Sequence, residues 1–240
     1  MAIDNPSEKI RELVKGDDFD GVGAALQVGG ILSPIFKVVG IAKSIATRHQ
    51  TGENIRIAIV ALCDELERIQ DRWPKDLESA LDSDWFKRAM TTLMEESARA
   101  VNDDRARLLA RFAAQGCFPI EEKHRQENLA SYIHDLARLG TDDLQMLRIL
   151  RDAYKDVFNN DPNLRDPNHF TLHNESFKQA ADKLNIHPDD RLSLGARLNG
   201  FGLAFEGVPQ MEGHFFRPTR RGIYLLSLLE AAELSVKQQN

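Results

Sequence analysis

Apolar side chains return every three or four positions through most of this 240-residue chain, the spacing of helices that pack by one face. Between Thr51 and Trp73, the residues Ile55, Ile59, Leu62, Cys63, Leu66, Ile69 and Trp73 fall on one stripe. Pro74 ends the predicted helix, because it brings no N–H and its ring crowds the preceding turn. Ser83 is placed to cap the next helix, where Phe86, Met90, Leu93, Met94, Ser97 and Val101 keep the same spacing. Asn102-Asp103-Asp104 starts a third, running to Gly116. From Gln126 to Leu139 the stripe is Leu129, Tyr132, Ile133, Leu136 and Leu139, with Gly140 expected as the left-handed residue just past the C-terminus. Residues 51–140 therefore read as antiparallel helices joined by short loops.

The pattern changes before Thr51. A short helix over residues 5–15, opened by Asn5-Pro6 and closed at Gly16, is followed by GVGAALQVGGILSPIF, sixteen residues without a charge. The apolar stretch continues past Lys37 and Lys43 to near Ala46. A bilayer crossing needs about 20 predominantly apolar residues, and Gly29-Gly30 with Pro34 interrupt this stretch in its middle. Two short helices are expected, an apolar hairpin whose Ile31, Leu32, Ile35, Phe36, Val38 and Val39 form a hydrophobic interface. Burial under the later helices or self-association is the favoured reading, and membrane insertion is the alternative.

The last hundred residues are more punctuated. Thr141 with Asp142-Asp143 opens a helix through about Phe158, carried by Leu144, Leu147, Ile149, Leu150 and Tyr154, and NNDPNLRDPN stops it. Phe170-Thr171-Leu172 reads as a short strand, Asn174 opens a helix through Leu184, and His187-Pro188-Asp189-Asp190 opens another through about Asn199. Gly200 and Gly202 stop that helix; residues 203–206 and 214–217 are expected to pair as a hairpin, and Thr219 caps a final helix through Leu234. Ala180, Leu184, Leu192, Leu194 and Leu198 are the expected small core. Two segments, FKQAADKLNIHPDDRLSLGARLNGFGLAFEG and FFRPTRRGIYLLSLL, carry a resemblance to bacterial winged-helix domains over residues 141–236. What the resemblance implies is a helix, turn, helix, small hairpin and terminal helix, with the helix at 189–199 presenting Arg191, Arg197 or Asn199 to a partner or to DNA. Arg217, on the wing, and Arg220 and Arg221 would then touch phosphates or a protein surface.

The middle of the chain, through RARLLARFAAQGC and LASYIHDLARLGTDDLQMLRIL, resembles bacterial helical proteins associated with abortive infection and phage defence, which implies an accessory or defence role. Composition narrows the rest. Lys plus Arg is 31 against 37 Asp plus Glu, a net charge of -6, so no whole-chain field draws the protein to nucleic acid or an anionic membrane. Cys63 and Cys117 stand 54 positions apart with no Cys-x-x-Cys, against both a disulfide framework and a zinc ribbon. The N-terminus lacks a signal-peptide pattern, and a reducing cytoplasm is expected.

Chemistry-bearing clusters are sparse. His169 and His173 stand four apart near Asp166 and Asn174, but at a strand-to-helix junction, where such side chains do not converge on a metal. Glu121, Glu122 and His124 fall at a helix start, which favours carboxylates without any catalysis. Ser176 and Ser193 lack a nucleophile elbow, and no phosphate loop is present. The sequence therefore predicts a mainly α protein without cofactor or metal. It has a helical domain over residues 1–140 and a winged-helix-like domain with a small β wing over 141–240. The expected role is that of a non-catalytic interaction or regulatory protein with a protein partner or a second copy of itself. The alternatives are a DNA-binding regulator and a membrane-active effector.

Overall fold

The computed structural model describes residues 53–69, 83–117, 128–160, 181–207 and 215–237. The helix at 5–15, the apolar hairpin with Ile31 to Val39, Trp73 and Pro74, Glu121 to His124, the His169 and His173 pair, the strand at 170–172 and Ala180 lie outside them. The described chain is mainly helical with one small antiparallel sheet. It divides into two compact units, residues 1–137 with 228–240, and residues 138–227.

The first unit contains α1 (Glu53–Arg68), α2 (Asp84–Ala98), α3 (Asp103–Cys117) and nearly all of α4 (Leu129–Arg138). Ile55, Ile59, Leu62, Cys63 and Leu66 of α1 are all buried, as are Phe86, Met90, Leu93, Met94 and Ser97 of α2. Burial of a Leu, Ile or Phe side chain contributes about 1.5–3 kcal/mol, so these stripes are what holds the unit together. Ser83 Oγ accepts from the Phe86 N–H at 3.4 Å and Asn102 Oδ1 from the Arg105 N–H at 2.9 Å, each supplying a partner for a donor left over at a helix start. Asn54 Nδ2 donates to the Ala100 carbonyl at 2.9 Å, and Gln115 Nε2 donates to Glu65 near the other ends of α1 and α3. The two helices thus run side by side in the same direction, as expected when α2 returns the chain between them.

One stripe position departs from the prediction. Val101 is 90% exposed, because α2 ends at Ala98 and Val101 falls in the three-residue turn before Asn102. Buried polar groups tie the helices across the core. Glu65 accepts from Arg68 Nε at 3.2 Å as well as from Gln115, and that hydrogen bond raises the Arg68 pKa against the opposing effect of burial. Glu96 of α2 meets His134 Nδ1 of α4 at 2.7 Å. Removing one member of such a pair strands a buried polar group, which costs about 1–3 kcal/mol.

The second unit contains α5 (Thr141–Asn160), α6 (Pro188–Gly200), β1 (Ala204–Gly207), β2 (Phe215–Pro218) and the first part of α7 (Arg220–Lys237). The strands pair with Ala204 opposite Pro218 and Phe205 opposite Arg217, one residue later than the alternation predicts. Gly202 takes φ of +67°, a conformation open to glycine, and turns the chain from α6 into β1. Thr219 Oγ1 accepts from the Gly222 N–H at 3.0 Å, so Thr219 caps α7 as its position suggests. Gly222 is also a close approach: a Cβ there would lie 2.1 Å from the Leu203 carbonyl oxygen.

Two expectations are corrected in this unit. Gly140 is not left-handed. Its carbonyl instead accepts from the Leu144 N–H at 3.2 Å and its own N–H donates to Asp143 Oδ2 at 2.8 Å, so it begins α5 rather than ending α4. Leu184 and Leu192, expected in the core, are 42% and 46% exposed, while Ala181, Ile186, Leu194, Leu198 and Leu203 are buried. At about 100° of rotation per residue, Leu192 stands roughly 160° round α6 from Leu194, so the two cannot face the same core.

Candidate functional site

The six positions singled out for DNA or partner contact separate into two groups. Arg191 Nε donates to the Ile186 carbonyl at 3.0 Å and its Nη2 to Asp182, so this guanidinium is spent on closing the turn into α6. That turn is sharp because Asn185 adopts φ of 55°, tolerated by an Asn, and the Ile186 N–H returns to the Ala181 carbonyl at 3.0 Å. Arg197 Nε donates to Asp143 Oδ1 at 2.7 Å, and Asp143 is only 1% exposed. The buried carboxylate therefore holds Arg197 against α5, and its second oxygen is already engaged by the Gly140 N–H. A charge-assisted pair of this kind is among the stronger hydrogen bonds available to a side chain.

The second group faces solvent. Asn199 and Arg220 are exposed, Arg221 is half-buried, and Arg217 lies with its guanidinium carbon 4.8 Å from the centre of the Phe205 ring. Phe205 and Arg217 stand opposite each other in the register, so the pairing of β1 with β2 brings this cation to that ring. Such a stacked contact is worth about 0.5–1 kcal/mol at an exposed site. Phe205 itself is 48% exposed.

Between these groups runs the outer face of α6. Asp189, Leu192, Ser193, Ala196 and Asn199 recur at helical spacing and are all exposed. Asp189 and Asp190 sit in the first turn, where the helix dipole favours carboxylates, and His187 accepts the Asp189 N–H at 3.3 Å as the cap. Ser193 donates its hydroxyl to the Asp190 carbonyl at 2.9 Å, an ordinary local bond rather than an activated nucleophile. The surface is acidic at its start and apolar at Leu192. Sequence patterning passed over Leu192 and Phe205 as site residues, although the inward phase of Leu194 and Leu198 already points Leu192 outward.

Among the described residues, no group of three or more His, Cys, Asp or Glu is arranged to hold a metal ion, and no helix is long and apolar enough to cross a membrane. Burial pushes the Cys117 thiol well above its ordinary pKa, the opposite of what a reactive cysteine needs. Comparison with protein-family models, with curated proteins and with solved structures finds no match for this chain.

Proposed function

We propose that residues 138–227 form a winged-helix-like, partner-binding unit of a non-catalytic regulatory protein, and that its occupant is a protein rather than duplex DNA. The observation that carries this reading is the use of Arg191 to close the turn into α6, through Asp182 and the Ile186 carbonyl, with Arg197 tied through its Nε to Asp143. Groove binding depends on cations free to meet phosphate and base edges, and here the exposed face of α6 sets Asp189, Asp190 and Leu192 beside a half-exposed Arg197 already held by Asp143. An apolar position flanked by charge is the composition of a protein contact, with an apolar centre and a polar rim. The partner side that fits carries an apolar residue for Leu192 and a basic one for Asp189 and Asp190. The resemblance of the middle of the chain to abortive-infection proteins suggests phage defence as the setting of this regulation.

The test is copurification from the protein's own cells with light scattering of the recovered particle, comparing the native chain with Leu192→Asp. An exposed substitution should leave stability within about 0.5 kcal/mol, so loss of a defined-stoichiometry partner on replacement reports the surface itself. Salt-sensitive retention of duplex DNA that disappears in Arg217→Ala, together with an unaltered particle in Leu192→Asp, would overturn the proposal in favour of a DNA-binding regulator.

A further inference from the structure

The exposed face of α6 is arranged as its own complement. At about 100° of rotation per residue, Asp190 and Arg197 lie along one edge of that face, Leu192 lies on the opposite edge, and Ser193, Ala196 and Gly200 fill the strip between. All six are exposed, and a Cβ added at Gly200 would meet nothing within 4 Å. Small side chains along the middle let a second helix approach closely, toward the near end of the range of about 8–10 Å between packed helices.

Charge gives the face a direction. Where the chain turns into α6, Asp182, Asp189 and Asp190 outnumber Lys183 and Arg191 by one. At the far end, Thr219 Oγ1 donates to the Gly202 carbonyl at 2.7 Å, and Arg221 Cδ lies 3.9 Å from where a Gly202 Cβ would be, so the start of α7 adjoins the end of α6. There Arg197, Arg217, Arg220 and Arg221 outnumber Asp142, Asp143 and Glu206 by one. Two groups of opposite sign remain available on the face itself. The Asp190 carboxylate has no partner among the described residues, and Arg197, its side chain 52% exposed, engages Asp143 through its Nε alone.

A surface acidic at one end, basic at the other and apolar along one side fits a copy of itself turned end for end, the self-complementarity that a two-fold interface requires. We infer that the occupant of this face is a second copy of the chain, with the two α6 helices packed antiparallel about a two-fold axis beside Ser193. In that arrangement residue 190 of one copy faces residue 197 of the other, twice over by symmetry. Two Asp190–Arg197 pairs then flank one edge, and the two Leu192 side chains meet on the other. Opposed helix dipoles add to the fit. The inference rests on the reading of α6 as a protein contact and names its partner. One helix pair is a small interface, under about 1,200 Å², which suits a reversible dimer.

The test is sedimentation equilibrium of the full chain from about 10 μM to about 1 mM, the range in which a dimer with a dissociation constant of ~100 μM assembles. Asp190→Arg sets like charges against each other at both pairs and should weaken the dimer at least about tenfold. The same variant adds two positive charges to a net of -6, which alone favours association, so the weakening reports the local pairing. Ser193→Cys, beside the axis, should cross-link two chains on oxidation, since a disulfide spans Cα atoms about 4.4–6.8 Å apart. Ser227→Cys, exposed on α7, should not, and the native cysteines are buried. A monomer throughout the range, a dimer untouched by Asp190→Arg, or one not cross-linked through position 193 would overturn the inference. If the monomer nonetheless recovers a foreign protein through Leu192, only the choice of partner fails. If it retains duplex DNA instead, the reading of α6 as a protein contact fails with it. Cross-linking decides the matter even if Asp190→Arg fails to fold.

Discussion

The first, all-helical unit and the second unit, which carries the two-stranded sheet, reach order by different means. In α1 to α4 a repeated apolar stripe is buried along its length, and the polar groups caught inside it, Glu65 and Glu96, are satisfied across helices by Gln115 and His134. In the second unit position depends on single contacts: Gly222 against Leu203, Asp143 with Arg197, and the left-handed Gly202. The lesson is that redundancy protects the first unit and specificity builds the second. Exposed apolar residues occur in both, Val101 and Leu234 in the first unit and Leu184, Leu192 and Phe205 in the second.

The strongest way to break this contrast is to excavate the first unit. Phe112→Ala removes a fully buried ring and is expected to cost about 3–5 kcal/mol in chemical denaturation. Hydrogen exchange sharpens the result: amides of α1 to α3 should lose protection while those of β1 and β2 keep theirs, and simultaneous loss would show that the units unfold as one.

A smaller effect tests the glycines. Gly222→Ala places a methyl group 2.1 Å from backbone oxygen, which has nowhere to go, and should cost about 1–3 kcal/mol. Gly116→Ala meets Leu129 Cδ1 at 2.3 Å, the far end of a side chain that can rotate, and the gain in helix propensity of about 1 kcal/mol offsets the crowding. Thermal melting of both variants should therefore separate them, with Gly116→Ala near the native value.

Asp143→Ala comes next, at about 1–2 kcal/mol, because it deletes a helix cap and a charged hydrogen bond together. Asp143→Asn keeps an acceptor for the Gly140 N–H and should lose about half as much, which denaturant titration resolves.

The effect that vanishes at neutral pH is alkaline. Burial raises the Cys117 pKa in the folded chain, so the folded state holds that proton more tightly than the unfolded state does. Stability is then full below the unfolded thiol pKa of about 8.5 and falls as pH rises beyond it. Stability measured between about pH 8 and 10 should decline less steeply in Cys117→Ala than in the native chain.

The same division governs how much the sequence discloses. Periodicity locates α1 to α4 because burial of a whole stripe is a property of many residues at once, and one misplaced member, Val101, does not disturb the rest. Caps at Ser83, Asn102 and Thr219 are legible too, since a hydroxyl or amide three residues from the N–H it serves is a local fact. The site is harder to read. That Arg197 faces Asp143 depends on a contact between residues 54 positions apart, and no local pattern distinguishes an arginine bound for a carboxylate from one bound for phosphate. Gly140 is misread for a related reason: glycine suits a helix end and a helix beginning alike, and Asp143 three residues on decides between them.

Asp143 also says something about the order of events during folding. Its bond to the Gly140 N–H spans three residues and can form as soon as the first turn of α5 does, on the microsecond scale of helix formation. Its bond to Arg197 must wait for a loop of more than fifty residues to close, which is entropically far more demanding. The early bond fixes Oδ2 and leaves Oδ1 already aimed, so the late encounter finds its target oriented in advance. A four-residue segment at the start of one helix thereby acts as a template for the docking of another.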